Sequence, residues 1–123
     1  MEINQITHEI LDSAYTVHTK LGPGLLESAY QACLVYELKK KGFIVEVEKA
    51  LPLIYEEVRL DCGYRIDVIV ENKVIVELKS VEVFTDVHIA QILTYLRLSE
   101  KKVGLLLNFN VKSLKNGIKR VIL

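Results

Sequence analysis

"YRIDVIVENKVIVELKS", residues 64–80, decides how this chain folds. Two hydrophobic runs, 64–70 and 74–80, flank the short polar stretch Glu71-Asn72-Lys73. Runs rich in valine and isoleucine, bounded by polar residues, read as strands, and so short a link makes them a hairpin. Side chains alternate along a strand. Tyr64, Ile66, Val68 and Val70 therefore face one way, and Arg65, Asp67 and Ile69 the other. In the second run Val74, Val76 and Leu78 oppose Ile75, Glu77 and Lys79. A loop of odd length centred on Asn72 sets opposite each other the residues whose numbers total 144, so Asp67 faces Glu77. Their Cβ atoms should lie about 5 Å apart. Lys79 follows one pleat along, about 7 Å from Glu77.

Two carboxylates at that spacing repel, so either one is protonated or a cation lies between them. A divalent, oxygen-preferring ion such as Mg²⁺ suits paired carboxylates and waters. The plainer reading makes Glu77 and Lys79 a surface ion pair beside a solvated Asp67. The end of a buried strand is an unusual place for that pair, and both readings stand at this point.

Outward from the hairpin, Ile3, Ile6, Ile10, Ala14, Val17 and Leu21 recur at three and four and form one face of a helix. Gly22-Pro23-Gly24 stops it. A second helix is expected from about 25 to 41, with Gly42 past its end. "FIVEVE" (43–48) and "LPLIYEE" (51–57) alternate as strands. Thr85 or Asp86 can cap a third helix over about 86–98. "KVGLLLNF" (102–109) reads as a buried strand and "IKRVIL" (118–123) as a short last one. The order α-α-β-β-β-β-α-β-β predicts one domain over 1–123, an α/β or α+β fold with a mixed central sheet flanked by helices. On the third helix His88, Gln91 and Tyr95 make a polar stripe, which faces either water or a site. In "GLLESAY" (24–30) Glu27 and Tyr30 share a face, and Glu27 suits a first helical turn in any case.

Bulk properties narrow the functions. At 123 residues, half of them hydrophobic, the chain can build one core. Sixteen basic residues balance sixteen acidic ones, which argues against a general polycation. The charge is nevertheless uneven. Lys101, Lys102, Lys112, Lys115, Lys119 and Arg120 face one acid, Glu100, in the last 25 residues. This stretch is either a solvated surface or a phosphate-facing patch. Cys33 and Cys62 have no metal-binding spacing, and Cys33 suits a small core position. No signal peptide or membrane span is expected, so a cytoplasmic setting is the default. The apolar fraction makes a homo-oligomer plausible.

The combination of motifs resembles a known group. Asp67 followed by Glu77-Leu78-Lys79, on adjacent strands after a helix bearing Glu27, resembles the PD-(D/E)XK nuclease superfamily. "QILTY" (91–95) is similar to the Q-x-x-x-Y motif of its helicase–nuclease and exonuclease branch. "VHTKLGPGLLESAYQACLVYEL" and "LLLNFNVKSLKNGIKR" more closely resemble the GxxExxY protein family, whose motif is spelled by Gly24, Glu27 and Tyr30. The resemblance runs from the first helix to the C-terminus. The motif's proline is replaced by Ile66.

The resemblance implies a metal-dependent phosphodiesterase acting on DNA or RNA. Asp67, Glu77 and the Leu78 carbonyl would bind Mg²⁺ or Mn²⁺, and Glu27 would complete the shell or hold one of its waters. Lys79 would orient the attacking water or stabilise the transition state. Gln91 and Tyr95 would position water or phosphate, with Tyr30 in support. Arg65, on the same face by parity, could contact a phosphate. Lys112, Lys115, Lys119 and Arg120 could add nucleic-acid contacts. The competing reading is a binding or accessory protein that keeps the fold without turnover, and a remoter one is a structural module that associates through strand edges.

Overall fold

A computed structural model describes residues 1–123. In chain order the elements are α1 (Ile3–Leu21), α2 (Glu27–Lys40), β1 (Val45–Ala50), β2 (Leu53–Tyr55), β3 (Val58–Leu60), β4 (Arg65–Val70), β5 (Val74–Lys79), α3 (Asp86–Ser99), β6 (Val103–Asn108) and β7 (Ile118–Ile122). A 3₁₀ turn at Leu114–Gly117 leads into β7.

Both helix ends near the N-terminal half are set by glycine. α1 stops at Gly22 (φ 66°), whose N–H donates to His18 O at 2.8 Å. α2 closes with a Schellman motif. Phe43 N–H donates to Leu38 O at 3.2 Å and Gly42 N–H to Lys39 O at 2.9 Å, with Gly42 at φ 91°. Leu38 and Phe43 are buried in the same cluster, which is the apolar contact that accompanies this motif.

Five strands form one sheet in the order β1-β4-β5-β6-β7. Every neighbouring pair is antiparallel except β5–β6, which is parallel and joined through α3. The mixed sheet flanked by helices is the architecture read from the sequence. α1 and α2 cover one face, packing on Val68, Val70, Val76, Leu78, Leu105 and Leu107. α3 covers the other, over Ile69, Ile75, Leu106 and Val121. β5 is covered on both faces, so Val74 to Leu78 are all buried. That double burial is why this strand is nearly continuously apolar. α3 sits close because Gly104 lies beneath it: a Cβ there would come within 2.8 Å of Ile92 Cδ1.

The β4–β5 register is the expected one, with Val68 opposite Val76, Ile69 opposite Ile75 and Val70 opposite Val74. Glu71 and Asn72, both at φ 54°, carry the turn.

Two expectations need correction. The stretch 51–57 is not one strand. β2 and β3 form their own two-stranded hairpin, turning at Glu56 (φ 55°) and Glu57. No glycine, asparagine or proline marks that turn, so it is silent in the sequence. Strict alternation along β4 also fails. Tyr64 stands edge-on to Tyr95 of α3 at 6.3 Å, and Ile66 joins the cluster under α3, so neither shares the face of Val68. The β1–β4 pairing is interrupted at the same place. Val47 pairs with Val68 and Lys49 with Ile66, but the position between is unpaired and Glu48 adopts φ 52°. The register is the same on both sides of this gap, so no residue is inserted there.

Candidate active site

The site forms where the β4–β5 ladder gives way to side chains. Backbone pairing stops at Val68 and Val76. One step further Glu77 Oε2 accepts a hydrogen bond from Asp67 N–H at 2.8 Å, and Asp67 Oδ2 accepts one from Leu78 N–H at 2.9 Å. The two carboxylates replace the missing rungs, which fixes them side by side. Asp67 is half-buried and Glu77 is only 3% exposed.

Burial dominates their chemistry. It pushes the Glu77 carboxyl up to about 8, and the Asp67 charge pushes in the same direction. The Asp67 N–H and Lys79 oppose this without reversing it. The Asp67 carboxyl is also raised, first by burial and then by the charges of Glu48 and Glu27, against the pull of Leu78 N–H and Lys79. Tyr95, 6% exposed, has its hydroxyl raised by burial and by the nearby Glu77 and Asp67 charges.

Lys79, at the rim of β5, donates from Nζ to Gln91 Oε1 at 3.3 Å. Gln91 Nε2 in turn donates to Tyr95 OH at 3.3 Å. One side of α3 is thus wired to the strand end. His88 belongs to the same stripe by spacing but turns away: its Nδ1 accepts from Thr85 N–H at 3.1 Å and helps cap the helix.

α2 is tied to the same strand end. Glu27 Oε1 accepts from Ser80 N–H at 3.1 Å, and Ser80 Oγ donates to Leu25 O at 3.1 Å. Tyr30 is fully buried and stacked on Phe109 at 4.6 Å. Its hydroxyl donates to Gly22 O at 2.6 Å and accepts from Leu25 N–H at 3.1 Å. Tyr30 therefore holds the 22–26 loop, with Gly24 at φ 102°, in the shape that presents Glu27. His18 is a core histidine, its Nε2 2.8 Å from Val111 O.

Other residues singled out in the sequence lie further out. Arg65 is exposed and its Nη1 donates to Tyr64 O at 3.1 Å. Lys112, Lys115, Lys119 and Arg120 are exposed, on β7 and the segment before it. β7 is separated from β5 by β6, and Arg120 bonds Asn4 Oδ1 of α1 at 2.7 Å. Lys119 and Arg120 point to opposite faces of the sheet, since Arg120 reaches α1 and Lys119 has the parity of Val121 under α3.

Two residues near the site went unread. Asn108 is buried at the end of β6. Its Oδ1 accepts from Val81 N–H and Asn110 N–H, both at 3.1 Å, and its Nδ2 donates to Val81 O at 2.7 Å. It anchors the chain leaving Lys79, and the lone amide closing "LLLNF" is the signal that could have found it. Glu48 is the other. The β1–β4 register sets it opposite Asp67, and its charge acts on both Asp67 and Glu77. The alternation of "FIVEVE" shows it only once β1 is known to lie beside β4.

The donor set suits a hard divalent cation: two adjacent carboxylates held away from bulk water, with no lysine or arginine in ion-pair contact. Leu78 has its side chain in the core, so only its backbone can serve the site. No three His, Cys, Asp or Glu side chains are gathered into a ready-made metal cluster; Glu27 is engaged with Ser80 N–H.

A family model of the PD-(D/E)XK nuclease superfamily matches residues 4–121. No curated protein and no solved structure matches the chain.

Proposed function

Because the chain belongs to the PD-(D/E)XK nuclease superfamily, we propose that it is a metal-dependent phosphodiesterase acting on DNA or RNA, within the GxxExxY branch. The observation that carries this reading is the Asp67–Glu77 pair. A buried carboxylate beside a half-buried one, both with raised pKa values, is costly to a protein that does not use them. Asp67, Glu77 and the Leu78 carbonyl would hold Mg²⁺ or Mn²⁺, with Glu27 reaching the same shell. Such an ion, when bound, activates water and neutralises charge on the phosphate.

The chain's own groups supply the rest. Lys79 Nζ, steered by Gln91, stabilises charge that builds on the phosphate oxygens or orients the attacking water. Gln91 keeps Lys79 at one position, and Tyr95 offers a further donor to phosphate. Arg65 is exposed and could grip a neighbouring phosphate. Tyr30 acts through Glu27 by fixing the loop before it. Two unpaired cysteines, Cys33 and Cys62, suit a reducing cytoplasm.

The test is cleavage of labelled single-stranded DNA, duplex DNA and RNA with Mn²⁺ or Mg²⁺. Lys79→Ala should lower the rate about 10²-fold or more, the scale of one lost transition-state donor. A broad panel without cleavage by the parent protein would overturn the reading and leave a binding module.

A further inference from the structure

An apolar groove of about 330 Å³ opens next to the site, lined by Leu53 of β2, by Tyr64, and by Ala90, Thr94 and Leu98 along α3. Its inner wall is Gln91 and Tyr95, the same two residues that carry the hydrogen-bond chain from Lys79. Groove and site are therefore continuous. Tyr64 is 46% exposed and stands edge-on to Tyr95 at 6.3 Å, leaving ring surface open to the groove.

Leu53 belongs to an apolar face of its hairpin. In the β2–β3 hairpin Leu53 pairs with Leu60 and Tyr55 with Val58, so these four share one face. Tyr55, Val58 and Leu60 are exposed. A lone two-stranded hairpin contributes little stability by itself. Its apolar face beside a phosphodiester site calls for an occupant with flat apolar parts and a charged backbone.

We propose that this groove receives unstacked bases of the nucleic acid, so that the substrate is single-stranded at the scissile phosphate. The inference rests on the nuclease reading, because it takes the phosphate to lie at Asp67, Glu77 and Lys79. The nucleotide beside that phosphate is then within reach of Tyr95 and Tyr64. A base in a duplex is stacked and paired and cannot enter, whereas a free base can stack on tyrosine, and such stacking tolerates any sequence.

The test is fluorescence anisotropy with Mg²⁺ on Lys79→Ala protein, which keeps the oligonucleotide intact. The probes are an oligothymidylate, an abasic strand of equal length and a duplex. The oligothymidylate should bind most tightly. Adding Tyr64→Ala should weaken it about tenfold, the size of one lost base stack, and leave the abasic strand unchanged. Tyr64→Phe should restore binding. Equal affinity for all three probes, or an equal loss on all three with Tyr64→Ala, overturns the proposal. So does no binding of any probe. The two readings fail separately. Cleavage of duplex unaffected by Tyr64→Ala removes the groove and keeps the nuclease. Base-dependent binding by a parent protein that cleaves nothing removes the nuclease and keeps the groove.

Discussion

Asp67 and Glu77 exchange hydrogen bonds with each other's strands: Glu77 Oε2 takes Asp67 N–H, and Asp67 Oδ2 takes Leu78 N–H. The backbone ladder stops one residue earlier, so the carboxylates themselves hold the strand ends together. The fold places two acids in register and pays in electrostatics, since burial and mutual repulsion raise both pKa values.

That penalty should be visible as a pH dependence of stability in metal-free protein. The Glu77 carboxyl moves from 4.5 to about 8 on folding. Between those values the folded chain keeps a proton that the unfolded chain has lost, so stability falls as pH rises from about 4.5 towards 8 and levels off above. The raised Asp67 carboxyl adds in the same direction. The Glu77 shift amounts to at most about 5 kcal/mol. Urea unfolding in chelator from pH 5 to 8.5 measures it. Glu77→Gln should flatten the profile and stabilise the protein at pH 8. A profile that rises with pH would contradict the geometry.

A divalent ion removes the repulsion, so Mg²⁺ or Mn²⁺ should raise Tm, more at pH 8 than at pH 6. An ion at ten times its Kd adds about 1.4 kcal/mol, or roughly 5 °C for a domain of this size. Asp67→Ala should abolish the shift. Differential scanning fluorimetry at millimolar ion decides it, and an unchanged Tm in the parent protein would speak against metal at this site.

How much of this was legible follows from where the backbone is regular. Asp67 facing Glu77 came from parity and one assumed turn, and it held because Val68 to Val76 is an unbroken ladder. Tyr64 and Ile66 came out on the wrong face where the β1–β4 pairing is interrupted, and the glutamate at φ 52° beside that gap leaves no trace in a hydrophobic pattern. The Glu56–Glu57 turn hid β3 for the same reason. Gln91 and Tyr95 were found by helical spacing, but their link to Lys79 depends on how closely α3 approaches over Gly104, a tertiary fact. Asn108 and Tyr30 act through backbone atoms distant in sequence, which no motif spacing reports.

Tyr30→Phe separates scaffolding from chemistry. The hydroxyl bridges Gly22 O and Leu25 N–H in a fully buried setting, so its loss should lower stability by about 1–3 kcal/mol. The stacking on Phe109 remains. Since Asp67 and Glu77 lie on other elements, the metal-induced rise in Tm should persist in this variant. Any loss of cleavage should then arise from a looser Glu27. Denaturant unfolding and scanning fluorimetry on the same samples check both points. A lost metal response would show that Glu27, which Tyr30 positions, is needed to hold the ion.

Lys79 and Gln91 should behave as one unit in catalysis. Gln91 touches the site only through its bond to Lys79 Nζ and its bond to Tyr95 OH. If its part is to hold Lys79, removing it matters only while Lys79 is present. Gln91→Ala should slow cleavage about tenfold and Lys79→Ala about 10²-fold or more, while the double variant should be no slower than Lys79→Ala alone. Rates at saturating substrate, measured for all four proteins of the cycle, give the coupling. Fully additive effects would mean that Gln91 contacts substrate independently, and the hydrogen bond to Lys79 would then be incidental to the reaction.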